Sequence, residues 1–144
     1  MIELSGELSQ ETEKWMLHVD GSSNGSNGGA GILIQGPARI EIEVAARLSF
    51  LTTNNEAEYE ALILGLELAR EDGAKVLEVY TDSQLEALQI EGTHETEERT
   101  MVLYHKKARS LMARFNKCLV HQIPRCENDK ADSLSKFGAI LSGI

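Results

Sequence analysis

The segment Thr53-Asn54-Asn55-Glu56-Ala57-Glu58-Tyr59-Glu60 separates two kinds of pattern in this chain. Thr53 followed three residues later by Glu56 has the spacing of a capping box, and good helix formers run over 57–70 before Gly73 stops them. A helix therefore starts here. Upstream, residues 15–20 (Trp15-Met16-Leu17-His18-Val19-Asp20) alternate in the manner of a strand and end at a glycine-, serine- and asparagine-rich turn over 21–29. Residues 30–35 and 39–48 are two more β-type runs parted by Gly36-Pro37, which predicts a three-stranded meander.

Downstream, residues 76–81 form a β-rich run placed to lie parallel to the first strand through a crossover. Ser83-Gln84-Leu85-Glu86 is a second capping box, opening a short helix to about residue 90, with a loop over 91–95. Residues 97–114 read as a long amphipathic helix, 117–123 as a strand and 128–141 as a closing helix capped by Asn128. The order is βββαβααβα, an α/β pattern. Residues 15–141 make the domain, and the acidic stretch 1–14 reads as a polar tail or linker remnant.

Composition supports one domain and excludes several classes. At 144 residues, 42% of them hydrophobic and 26% charged, the chain can bury one core and lacks the signature of disorder. No apolar stretch approaches the roughly 18 residues needed to cross a bilayer, and no secretory leader is visible. Cys118 and Cys126 lack metal-ligand spacing and are expected to be reduced, in an intracellular setting. A monomer is expected.

The net charge of −9 runs against the usual excess of basic residues in nucleic-acid binders. Charge is unevenly placed, however: Lys106, Lys107, Arg109, Arg114 and Lys117 fall in a stretch without acids, which reads as a solvated helix face offsetting the macrodipole. A carboxylate cluster that collects divalent cations would also be less acidic with its metals bound.

Helical phase singles out Glu58. At about 100° per residue, Glu56, Glu60, Glu67 and Glu71 share one arc, while Glu58 falls on the opposite side with Leu62, Gly65 and Ala69. A carboxylate in an apolar stripe needs a metal, an arginine or its own proton, unless it swings to solvent and meets the helix dipole. Asp20 and Asp82 both stand at predicted strand ends, where side chains converge on the crevice in which such sheets bind ligands. Each also has a local alternative, a turn for Asp20 and a helix cap for Asp82. Asp132 lies in the first turn of the last helix, where the dipole favours an acid.

Carboxylates meeting at one end of a sheet suit hard cations such as Mg²⁺. Two such ions about 3.5–4 Å apart can activate water and stabilise the leaving oxygen of an in-line displacement at phosphorus. No G-x-S-x-G and no GxxxxGK[ST] occurs, and the four histidines are scattered, which weakens hydrolase-triad and nucleotide-triphosphatase readings.

Four segments, Val19-Asp20-Gly21-Ser22, Thr53-Asn54-Asn55-Glu56-Ala57-Glu58, Tyr80-Thr81-Asp82-Ser83-Gln84 and Asn128-Asp129-Lys130-Ala131-Asp132, resemble the motifs of type 1 ribonuclease H, in order. Ile123-Pro124-Arg125 and the short path between the second and long helices resemble the ribonuclease H-like domains of plant LTR-retrotransposon polyproteins and archaeal-type ribonuclease H. The resemblance implies a five-stranded mixed sheet of order 3-2-1-4-5 flanked by helices, and hydrolysis of the RNA strand of RNA–DNA hybrids without sequence preference. It implies Asp20, Glu58, Asp82 and Asp132 as catalytic carboxylates holding two Mg²⁺ ions, with Mn²⁺ as a substitute. It also implies Gly21, Ser22, Asn24, Asn54, Asn55, Gln84 and Arg125 as substrate-binding positions, the asparagines and Gln84 reading ribose hydroxyls in the minor groove. For Asn24 and Asn54 the residues themselves favour turn and cap roles.

Two departures carry consequences. The loop histidine that many members place before the final motif is absent, with Gln122 near that place and His121 beside it, so either turnover is slow or Arg125 substitutes. The basic protrusion of some members is missing too, which implies weak binding to hybrid alone and a reverse transcriptase or other polyprotein domain as a partner. The competing readings are a non-catalytic module of a retroelement polyprotein and another nuclease of the same fold, such as a DNA exonuclease or an integrase core.

Overall fold

The computed structural model describes residues 13–49, 53–83 and 99–141. Along these, β1 (Lys14–Ser23), β2 (Gly28–Gln35) and β3 (Glu41–Leu48) precede helix α1 (Asn54–Glu71) and β4 (Val76–Thr81). Helix α2 (Arg99–Met112), β5 (Lys117–Gln122), a 3₁₀ turn (Arg125–Glu127) and helix α3 (Asp129–Ile140) complete the order. The sheet runs β3-β2-β1-β4-β5, with β1, β2 and β3 antiparallel and β4 and β5 parallel to β1. This is the expected topology. The short helix expected after Ser83, with its capping box, lies outside the described residues.

Alternation along β1 explains the layering. Trp15, Leu17 and Val19 are buried and join residues of α1 and α2, including Leu62, Leu66 and Leu111, in the main core. Met16, His18 and Asp20 point to the opposite face, where α3 packs over β1, β2 and β3. The capping box of α1 forms as its spacing requires: Thr53 Oγ1 accepts from the backbone N–H of Glu56 at 3.1 Å, and Glu56 Oε1 accepts from that of Thr53 at 2.9 Å.

Three boundaries differ from expectation, each for a physical reason. β1 begins at Lys14 and runs through the supposed turn to Ser23, while β2 already starts at Gly28, so most of the glycine-rich segment is strand. Gly21 and Gly29 serve close packing, as described below, while Gly25, with φ of 88°, serves the turn itself. β3 starts at Glu41 because Ala38 and Arg39 adopt left-handed conformations, with φ of 57° and 61°, which end any extended run. Asn128 makes no side-chain capping bond to α3. Its amide is instead buried and turned toward β1.

Candidate active site

The parallel register of β1 and β4 runs up to His18 beside Tyr80, and Asp20 and Asp82 each stand two residues further along their chains, at the same end of the sheet. Glu58 arrives by a different route. A Cβ built on Gly21 would lie 2.1 Å from the carbonyl oxygen of Ala57 and 2.4 Å from the backbone nitrogen of Glu58, so only glycine lets the first turn of α1 abut the end of β1. One carboxylate oxygen from each of Asp20, Glu58 and Asp82 lies within 4.8 Å of the others.

Asp20 is buried, with 3% exposure. Burial pushes its carboxyl up to about 6; the charges of Asp82 and Asp132 add to this, while the Ser135 hydroxyl and Arg125 oppose it. Asp82 is also raised, first by burial and then by Asp132, against the pull of Arg125 and a hydrogen bond from Asn128. Two neighbouring acids that resist ionisation become tolerable with a cation between them. An all-carboxylate oxygen donor set suits a hard divalent ion. Asp20, Glu58 and Asp82 therefore fit a metal ion by their chemistry and mutual distance.

Asp132 stands apart from that group. Its Oδ1 is 3.5 Å from Arg125 Nη2 and its Oδ2 3.1 Å from Lys136 Nζ, one turn further along α3. Its charge still reaches Asp20 and Asp82. Three of the four expected carboxylates are thus assembled, and the fourth is held beside them by two cations.

A cleft of about 790 Å³ opens over these residues. Gly21, Ser22, Asn24, Asn54, Asn55 and Arg125, all expected at a substrate surface, line it. Gln84 lies outside the described residues. Asn24 does have a turn role, its Oδ1 accepting from the N–H groups of Ser26 and Asn27 at 2.9 and 2.7 Å. Asn54 is not the cap of α1; its Oδ1 accepts from the Ser23 N–H at 3.1 Å and ties the helix start to the end of β1. In both it is the side-chain oxygen that is engaged, and no bond from the side-chain N–H groups is formed among the described residues. Gln122 lines the cleft, whereas His121 is engaged elsewhere, 3.0 Å from Glu78 and stacked on Tyr80.

Three residues were missed from the sequence. Asn128, 1% exposed, donates from Nδ2 to the Val19 carbonyl at 2.9 Å, bracing the residue before Asp20. Ser135, fully buried, donates to Asp20 Oδ2. Lys136 lines the cleft and holds Asp132. A signal for Ser135 was available: it lies in the small buried stripe of α3 with Ala131, Gly138 and Ala139, and a polar residue in such a stripe asks for a partner.

The sheet order and element order are those of the ribonuclease H fold. The crystal structure of RNase H1 from the halophilic archaeon Halobacterium salinarum NRC-1 matches with a TM-score of 0.82 at 29% identity, covering 87% of this chain and 96% of that one. LC11-RNase H1, solved in complex with RNA/DNA hybrid, matches with a TM-score of 0.78 at 29% identity, covering 87% and 96%. In sequence, the Ribonuclease HI of Halobacterium salinarum is 34% identical over 121 residues, which make up 82% of this chain and 60% of that relative. The chain thus spans about three fifths of that relative's length. The Reverse transcriptase-like family matches residues 18–138, and the chain belongs to that family.

Proposed function

We propose that this protein is an endoribonuclease that hydrolyses the RNA strand of RNA–DNA hybrids without sequence preference. The observation that carries this reading is the convergence of Asp20, Glu58 and Asp82 within 4.8 Å at the floor of a cleft. These three would hold divalent cations, Mg²⁺ with Mn²⁺ as substitute, and Asp132 would complete the set from beside them. Cations held there would supply an activated water and charge stabilisation for displacement at phosphorus.

The chain's own residues do the rest. Asn24, Asn54 and Asn55 line the cleft, and the side-chain N–H groups of Asn24 and Asn54 suit donation to ribose 2′-hydroxyls, a contact that needs no base identity. Arg125 and Lys136 supply positive charge where a phosphate backbone would pass. A net charge of −9 leaves little general attraction for nucleic acid, so a neighbouring domain such as a reverse transcriptase is the expected source of further affinity. No helix among the described residues is long and apolar enough to cross a membrane. Free thiols at Cys118 and Cys126 suit a reducing, intracellular setting, with the protein acting as a monomer.

The test is a strand-labelled hybrid incubated with the protein and Mg²⁺ or Mn²⁺, alongside single-stranded and duplex RNA. Cleavage of the hybrid's RNA strand alone, lost in Asp82→Asn, is the expected result. Cleavage of the DNA strand, or of all three substrates alike, would favour another nuclease of the same fold.

A further inference from the structure

What can reach Asp20 is decided by glycines on the strand beside it. Gly31 is the register partner of Asp20 across β1 and β2. A Cβ on Gly31 would stand 2.0 Å from the carbonyl oxygen of Ala131 and 2.5 Å from the backbone nitrogen of Ser135, and one on Gly29 would stand 1.9 Å from the carbonyl oxygen of Ser135. Helix α3 therefore lies on β2 backbone to backbone, nearer than any side chain would allow. At that close approach the short side chain of Ser135 brings its hydroxyl to Asp20.

Ser135 Oγ is 2.5 Å from Asp20 Oδ2 and 2.8 Å from the carbonyl oxygen of Asp132. A hydroxyl has one proton to give, and an ionised carboxylate is a stronger acceptor than a helix carbonyl. Ser135 is fully buried, so water does not stand in for it. The contact also spans 115 positions of sequence, which a mere local helix bond from serine to the carbonyl one turn back would not need.

We propose that Ser135 is a positioning residue for the cation site. Its hydroxyl fixes one oxygen of Asp20 and leaves the other available to an ion shared with Glu58 and Asp82. By standing between Asp20 and the backbone of Asp132, it also couples the first turn of α3, which carries the fourth carboxylate, to the other three. This rests on the proposed nuclease function only in taking Asp20 as a cation ligand. Partners that orient metal ligands commonly change affinity by about 10–100-fold when removed.

The experiment is a calorimetric titration of Mn²⁺ into the wild-type protein, Ser135→Ala and Ser135→Thr, with circular dichroism to establish that each is folded. Ser135→Ala is expected to bind Mn²⁺ about 10-fold more weakly, while Ser135→Thr, which keeps the hydroxyl, stays within about 2-fold of wild type. In hybrid cleavage, Ser135→Ala shifts the Mg²⁺ midpoint upward by a similar factor, and saturating Mg²⁺ recovers most of the rate. If Ser135→Ala does not fold, Ser135→Cys, with a weaker donor of similar size, is read in the same way with a smaller shift expected. Wild-type affinity in the variant lacking the hydroxyl, or equal weakening in the alanine and threonine variants, would overturn the proposal. Calorimetry needs no turnover, so a wild-type protein that binds Mn²⁺ and leaves hybrid intact defeats the nuclease reading while leaving the role of Ser135 open to this measurement.

Discussion

The backbone nitrogen of Glu58 lies where a side chain on Gly21 would have to be, 2.4 Å from the position of a Cβ there. Glycine at the end of β1 thereby sets how near α1 can bring its carboxylate to Asp20. Gly21→Ala should push the first turn of α1 away, costing about 1–3 kcal/mol or more, because the atoms it meets are backbone and cannot swing aside. A thermal melt should show the loss of stability, and hybrid cleavage should fall by more than the melt explains, since Glu58 moves with the helix. A variant with unchanged melting and activity would mean that α1 is not held by this contact.

Asn128 is the second brace. Its buried amide joins α3 to the Val19 carbonyl, 109 positions earlier. Asn128→Ala leaves that carbonyl without its donor and should cost about 1–3 kcal/mol. Asn128→Asp should be at least as damaging, since it exchanges the donor for a buried acid near Asp20 and Asp82. Chemical denaturation of both variants checks this, and a stable Asn128→Asp would contradict it.

These two contacts mark the limit of what the chain reveals unaided. The strands and helices were legible because alternation and helical phase are local properties. Asp20 and Asp82 were legible as the residues where strand patterns stop, and Glu58 as an acid on the wrong side of its helix. Gly21 and Gly29 were misread as parts of a turn because glycine looks the same whether it bends the chain or admits another backbone. Asn128 read as a helix cap for a similar reason: the residue type suits the cap, and only the fold reveals that β1 is the nearer partner. The attachment of Asp132 to Arg125 and Lys136 depends on side-chain placement that no spacing rule fixes.

Asp20 and Asp82 both hold raised carboxyls, Asp20 up to about 6. A carboxyl whose folded value exceeds its unfolded one favours the fold while protonated. That contribution is full below about pH 4 and is lost as pH rises through about 6. Without metal, stability from these groups should therefore decline across that window, and Asp20→Asn should flatten the decline. Protons and cations compete for the same oxygens, so the gain in melting temperature from Mg²⁺ over EDTA should widen as pH rises through about 6. A gain that shrinks over that range would place the cation elsewhere.

Arg125 and Lys136 are exposed cations whose pairing with Asp132 is weak as a source of stability, worth under about 1 kcal/mol each. Arg125→Gln and Lys136→Gln should leave melting nearly unchanged and raise KM for hybrid. Taking one cation away from a phosphate should reduce the slope of log affinity against log salt by roughly 0.7–0.9. An unchanged salt slope in both variants would remove these two residues from the substrate surface.

The most direct measurement is RNA-strand cleavage of a labelled hybrid in Mg²⁺ by the Glu58→Gln variant against wild type, with circular dichroism on both. Glutamine keeps the size of the side chain and removes the charge that Asp20 and Asp82 must share with a cation. The expected result is a folded protein whose cleavage rate falls at least ~10²-fold, the loss that goes with giving up a few kcal/mol of charge stabilisation. A folded Glu58→Gln protein cutting at the wild-type rate would contradict a cation site built on these three carboxylates.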